Sequence, residues 1–425
     1  MNKLSKVVGV IMVLMLVIML AACGNATFGT KPPIDKKPLD PPFEENADYH
    51  VGIVTNWVST RWDEEYKSAM ELIAEYGSAD KGGIIKHIVL PETFIKEQLV
   101  VVSTIAGLAK DPLMKALIVN QGDQGKQRIS DAFQIIREAG RDDMLLMAIM
   151  PEDDPSDISR VADIVVSEDY FARGYYDIVR AKNMGATTFV FMSFPRHMDI
   201  EVLSRQRNIY EAACKDLGLE FVFETVPDPA SDIGAAGAQM KVYEDMPRLV
   251  DKYGKDTVYF STTTSLHEPI IKRVIELGAL FVDSNYITPL DGFPSALKLD
   301  LTDVADPLLN WPAILKRIEE GVVAKGASGR LGCFPYSLDY CKTIGLTRLA
   351  IDIIEGRATG ELQKDIKAAY ESVTPGCDWM VQKLGDWIDE DLDNYYLLSM
   401  DTYIFGQGFS GVFREPFPEK YYNIK

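Results

Sequence analysis

The chain lacks every short signature of a common catalytic site. No GxSxG or HExxH occurs, and Gly122-Asp123-Gln124-Gly125-Lys126 has neither the Walker spacing nor the Ser or Thr that should follow its lysine. Cysteine is scarce, five in 425 residues, and the spacings fit no zinc pattern. His197 and Glu201 are four apart, as metal ligands sometimes are, but a pair without further ligands specifies no metal. No basic stripe is present either: 44 Lys and Arg stand against 63 Asp and Glu, a formal net charge of −19, which argues against nucleic acid because phosphate neutralisation needs clustered cations. The apolar run at the start, Val7 to Leu20, has 14 residues and is too short for a comfortable bilayer span. The expectation is therefore a non-enzyme with no cofactor and no metal.

What is present begins with that same run. Lys3 and Lys6 precede it and Leu20-Ala21-Ala22-Cys23 follows it, the layout of a secretory signal. The Leu-Ala-Ala-Cys ending resembles the bacterial lipobox, which implies removal of residues 1–22 as a signal peptide, lipidation of Cys23, and anchoring to the outer face of the cell membrane. Losing Lys3 and Lys6 takes the formal charge from −19 to −21. Residues 24–48 carry five prolines and little apolar content, so 23–48 reads as a lipidated flexible tether. Export permits oxidation of Cys214, Cys333, Cys341 and Cys377; Cys214 reads as a small buried helix residue, and a disulfide among the other three stays open.

From Tyr49 onward, apolar runs alternate with amphipathic segments. His50 to Gly77 is one complete unit: a short strand around Val51, Ile53 and Val54, a decorated loop, and a helix closed by Gly77. Further strands are expected at 84–90, 116–120, 144–150 and 162–167, with helices between them. A second series follows from Tyr170 to Asp283. This alternation predicts an α/β fold of two doubly wound parallel-sheet lobes joined by a hinge. The first lobe is expected to comprise 49–167 and 296–375, with Ser295 to Leu301 as a strand returning to it, and the second 168–295. Residues 376–425 form an extension without an assigned place.

Ser167 to Gly185, with Asp169, Gly174 and Gly185, resembles the type I periplasmic binding proteins and the ligand-binding domains of sugar-responsive repressors. Phe281-Val282-Asp283 is similar to the closing strand and Asp of that family, and the likeness spans roughly residues 49 to 360. The whole chain, especially SFPRHM and LSRQRNIYEAACKDLG, also resembles an uncharacterised family of bacterial solute-binding-type lipoproteins. These resemblances imply capture of a small molecule between the lobes and presentation to an ABC permease or a sensor. Sugar binders supply an Asn or Asp after the strand at 257–261, where this chain has Thr262-Thr263-Thr264-Ser265, a departure that counts against a simple sugar.

Ligands of open α/β sheets bind beyond the C-terminal ends of the strands. The candidate binding residues are accordingly Asn56, Trp57, Thr60, Arg61, Trp62, Asn120 and Gln121 from the first lobe, and Phe194, Arg196, His197, Thr263 and Asn285 from the second. Indoles and a phenyl ring supply flat faces, and Arg and Asn supply directed hydrogen bonds, which favours a flat or anionic ligand. An extracellular hydrolase or lyase using the same cleft, or a surface scaffolding or adhesion lipoprotein, are the competing readings.

Overall fold

Apolar strands buried on both faces need helices on both sides of their sheet, and this requirement organises the molecule. The structure, a computed structural model, describes residues 47–58, 63–92, 98–120, 129–285, 288–388 and 390–425. Cys23, Thr60, Arg61, Trp62 and Gln121, with the expected signal peptide and most of the tether, lie outside the described residues. The first half of the chain alternates β1 (His50–Thr55), α1 (Asp63–Tyr76), β2 (Ile85–Val89), α2 (Gln98–Leu108), β3 (Met114–Asn120), α3 (Ile129–Glu138), β4 (Leu145–Ile149), α4 (Pro155–Val161) and β5 (Ile164–Glu168). The chain continues through α5 (Tyr170–Asn183), β6 (Thr188–Ser193), α6 (Pro195–Met198), α7 (Glu201–Leu217), β7 (Glu220–Thr225), α8 (Gly234–Tyr253), β8 (Thr257–Ser261) and α9 (His267–Leu277). It then runs through α10 (Phe293–Leu297), α11 (Thr302–Ala305), α12 (Trp311–Ala324) and β9 (Gly332–Cys333). Last come α13 (Leu338–Ile354), α14 (Leu362–Val373), β10 (Trp379–Lys383), α15 (Gly385–Ile388), β11 (Tyr395–Met400), β12 (Tyr403–Ile404) and β13 (Gly408–Phe409).

The large sheet has the order β10-β11-β5-β4-β3-β1-β2, parallel throughout except for the edge pair β10–β11. Val51 sits between Ile85 and Ala116 in register, and all three are buried. One face is covered by α1 and α13, the other by α2 and α3. The second lobe is built on β7-β6-β8, also parallel. There Phe191 is in register with Phe223 and Phe260, its ring 6.1 and 5.1 Å from theirs. Bridges from Val258 to Leu280 and from Phe281 to Leu331 carry this sheet on towards the small antiparallel set β13-β12-β9.

Two expectations from the sequence are corrected. Ser295 to Leu301 is no strand: α10 occupies Phe293–Leu297 with Pro294 in its first turn, where a fixed φ and a missing N–H suit a helix and not a ladder. Nor does the chain return to the first lobe at residue 296. Phe293 packs on Phe281 and Phe405, and Leu331 bridges to Phe281, so this stretch stays with the second sheet until α13. An amphipathic pattern states which face of a helix is buried, not which sheet buries it. Residues 379–400 supply the last two strands of the large sheet. The four cysteines from Cys214 on are free thiols, all buried. Burial pushes the Cys214 thiol up to about 12.

The chain passes between the lobes three times, at 168–170, 334–337 and 401–402. Helix α5 binds all three passages through two buried guanidinium groups. Arg173 pairs with Glu168 of the first, lies 4.8 Å above the Phe334 ring of the second, and donates to the Ser284 carbonyl at 2.8 Å. Arg180 reaches Asp177 at 2.6 Å, Asp283 at 3.6 Å and Asp401 of the third passage at 3.8 Å. Hydroxyls of Tyr210, Thr402 and Ser410 donate to Asp177, Asp283 and Asp401.

Candidate functional site

On the first lobe, the strand tips meet the first turn of α1. Asn56 is fully buried just past β1, and its side chain donates to the Glu65 carboxylate at 3.2 Å while its backbone N–H does so at 3.4 Å. Burial pushes Glu65 well above the ordinary carboxylate range, and nearby Asp339 adds to the shift. Glu64 beside it keeps part of its side chain open to solvent while its carboxyl is surrounded by protein. Burial raises it to about 7, against the lowering effect of hydroxyl bonds from Ser337 and from Thr288, the latter at 3.1 Å. Thr288 belongs to the segment leaving the second lobe and Ser337 to the second passage, so Glu64 stands at the junction of the lobes. Asn120, buried at the end of β3, donates to Thr343 at 2.7 Å, and its Oδ1 meets no donor among the described residues. Lys342 is buried 3.4 Å from Asp339 and acts on the Glu65 carboxyl as well. Trp57 is half-buried against the apolar core on the α2 face.

On the second lobe, Phe194 is buried at the start of α6, and Arg196 next to it is exposed. Arg196 forms a two-pronged pair with Asp228 at 2.7 and 2.8 Å and lies 5.2 Å over the Phe194 ring. His197 shares a hydrogen bond with the Thr262 hydroxyl at 3.0 Å, and Thr262 shares another with Ser193 at 2.8 Å. Burial, assisted by Arg196, lowers His197 to about 4, so the imidazole is neutral at physiological pH. Ser193 and Thr262 are both sealed from solvent, so this chain of groups orients the ring and exposes no nucleophile. Thr263 is half-buried beside it. Asn285 lies inward: its amide exchanges two hydrogen bonds with Gln206, at 2.9 and 3.0 Å, and is fully buried.

The candidate residues thus separate into groups. Asn56 and Asn120 belong to one polar wall, Phe194, Arg196, His197 and Thr263 to the facing lobe's tips, and Asn285 to an internal clamp. Sequence reasoning missed Glu64, Glu65 and Asp339. The signal was available in Asp63-Glu64-Glu65 directly after the decorated loop, where acids suit a helix N-terminus and look like a solvated start. Among the described residues no group of three or more His, Cys, Asp and Glu side chains could hold a metal ion, and no helix is long and apolar enough to cross a membrane.

A family model described as "Protein of unknown function (DUF3798)" matches residues 49–332, and a second family model covers 343–424. Two Treponema pallidum (strain Nichols) proteins, each described as uncharacterized, are related. One is 40% identical over 185 residues, 43% of this chain and 81% of the relative; the other is 33% identical over 224 residues, 53% of this chain and 98% of the relative. A crystal structure described as a putative transcriptional regulator from Clostridium difficile 630 superposes with a TM-score of 0.76 and 24% identity, over 84% of this chain and 99% of that one. The two parallel-sheet lobes share their fold with that solved structure.

Proposed function

The chain belongs to the DUF3798 family, whose description names no activity, and from its fold and lobe junction we propose that it is an extracytoplasmic solute-binding protein. In this reading it is held to the membrane by lipid on Cys23 and closes its two lobes on a small molecule for a transporter or sensor. The observation that carries the reading is the polar wall where the lobes meet: Glu64 bonded to Thr288 and Ser337, Glu65 bonded to Asn56, and the unmet Asn120 Oδ1. Buried polar groups are ordinarily satisfied, so an unmet acceptor at such a wall suits a donor brought by a ligand. Contacts made to both lobes only in the closed state would shift the open–closed equilibrium by their differential affinity.

A flat ligand is suggested by Trp57, Trp62 and Phe194 and an anionic one by Arg61 and Arg196, of which Trp62 and Arg61 lie outside the described residues. Arg196 is engaged by Asp228, and the described wall offers acceptor oxygens from Glu64, Glu65, Asp339 and Asn120, so we favour a neutral or cationic ligand rich in hydrogen-bond donors. Screening the purified protein for thermal stabilisation by sugars, nucleosides, amino acids and amines tests this, together with mass spectrometry of whatever co-purifies. Ligands of both kinds that leave Glu64→Gln and Asn120→Ala unaffected would place the site elsewhere. Turnover of a bound compound would favour the hydrolase or lyase reading.

A further inference from the structure

Against β11 and the ends of β4 and β5 lies a cavity of about 450 Å³, closed from the other side by the starts of α5 and α7, so that both lobes wall it. Its volume falls within the range of small-molecule sites. The lining among the described residues is mainly apolar: Val202, Leu384, Ile388 and Leu397 give aliphatic surface, and Phe171, with Tyr170 and Tyr395, gives rings. Met150 marks the boundary with the lobe junction, since its sulfur accepts from Lys342 on the polar wall while the residue itself lines the cavity. Its backbone holds a φ of +47° directly before Pro151, a conformation that side-chain-bearing residues rarely adopt and that clusters at functional sites.

The charged groups of this lining are engaged within the protein or stand in solvent. Arg205, 4% exposed, donates to the carbonyls of Ile424, Trp387 and Tyr422 at 2.6, 2.8 and 2.9 Å and stacks on Phe171 and Trp387. It therefore anchors the C-terminal tail. Asp153 accepts from the first N–H groups of α3, Glu168 pairs with Arg173, and Ser167 bonds Tyr395. Glu152 and Glu201 are exposed at the rim, where solvent and salt screen them. An ion drawn into this space would give up its hydration and meet charges that already have partners. A neutral ring system loses little on leaving water and gains contact with the aliphatic and aromatic walls.

We propose that this cavity is a second small-molecule site, separate from the polar wall at the lobe junction, that takes a neutral aromatic molecule between Phe171 and Val202 of the second lobe and Leu384 and Leu397 of the first. The test is calorimetric titration of the full chain with 2-naphthol, alongside 2-naphthoate and 2-naphthylmethylamine, which keep the ring system and add a negative or a positive charge. The naphthol should bind saturably and more tightly than either charged compound. Val202→Trp, at a half-buried position in the lining, should weaken the naphthol by at least about tenfold, and Glu64→Gln should leave it unchanged. If Val202→Trp does not fold, Ile388→Trp replaces it as the filling variant. Absence of saturable naphthol binding overturns the proposal, as does equal or tighter binding of either charged compound. Naphthol affinity that follows Glu64→Gln and ignores the filling variant would move the molecule to the lobe junction and remove the second site.

Discussion

Two constellations of buried charge lie close together in this molecule and are built on opposite terms. At the three passages, two arginines and five carboxylates are sealed from solvent, and the carboxylates accept from guanidinium, hydroxyl or backbone donors. At the lobe junction, Asp339 pairs with Lys342, Glu65 lies within reach of both, and Glu64 keeps part of its side chain open to solvent. Charge that is taken out of water and tied into a network of ion pairs and hydrogen bonds specifies a geometry, even where single atoms such as Asp283 Oδ1 and Arg173 Nε meet no hydrogen-bond partner among the described residues, whereas charge at a solvent-reachable wall is available to a partner. The first pattern suits a pivot that must keep its shape while the lobes move, and the second suits a binding wall.

Removing one member of the sealed network should produce the largest effect. Arg180→Ala leaves Asp177, Asp283 and Asp401 without their shared cation, and denaturant unfolding should record a loss of about 3–5 kcal/mol. A loss below about 1 kcal/mol would mean that the passages are not held as described. Glu64→Gln, by contrast, should cost little stability at neutral pH and should instead weaken an identified ligand by about tenfold. If both variants act on stability alone, the distinction between pivot and wall fails.

The pH dependence sharpens the same contrast. Burial raises Glu64, Asp169 and Asp283 each to about 7 in the folded state, Asp177 adding to the shift at Asp283. Between the unfolded carboxylate values near 4 and these folded values, the folded protein holds more protons than the unfolded one, so stability falls as pH rises through that window and levels off above it. The unfolding midpoint should therefore be higher at pH 5 than at pH 7.5. Asp283→Asn and Glu64→Gln should each flatten this slope, the first without touching ligand affinity.

Local periodicity made much of the fold legible. The strand His50–Thr55, the helix Asp63–Tyr76 closed at Gly77, the helix Gly234–Tyr253 and the buried apolar strands all follow from spacing and caps. Partnership over distance was not legible. β11 follows an acidic stretch and pairs with β5 more than 200 positions earlier, and no local pattern specifies that neighbour. Helix α13 begins at Leu338 because Ser337 caps it by accepting from the Tyr340 N–H, a start that no apolar spacing marks. At the junction, polar strand tips were readable as such, but whether Asn56 faces a ligand or Glu65, and whether Asn285 faces a ligand or Gln206, depends on contacts that spacing does not encode.

Arg196 provides the smallest expected effect and the clearest separation of an exposed pair from the sealed network. Its guanidinium is exposed, and Asp228, 32 positions away, receives both of its prongs. The Arg196 hydrogen bond is the main influence that lowers the Asp228 carboxyl, to about 2, so the pair stays ionised throughout the physiological range. Solvent and salt screen such a pair, and Arg196→Ala should cost about 0.2–1 kcal/mol, less at high ionic strength. Because Asp228 already occupies the guanidinium, the same variant should leave the affinity of a neutral or cationic ligand within about twofold, since a rim charge acts mainly on encounter. A loss of affinity as large as that of Glu64→Gln would mean that Arg196 leaves Asp228 when the lobes close, and it would return the ligand to the anionic class.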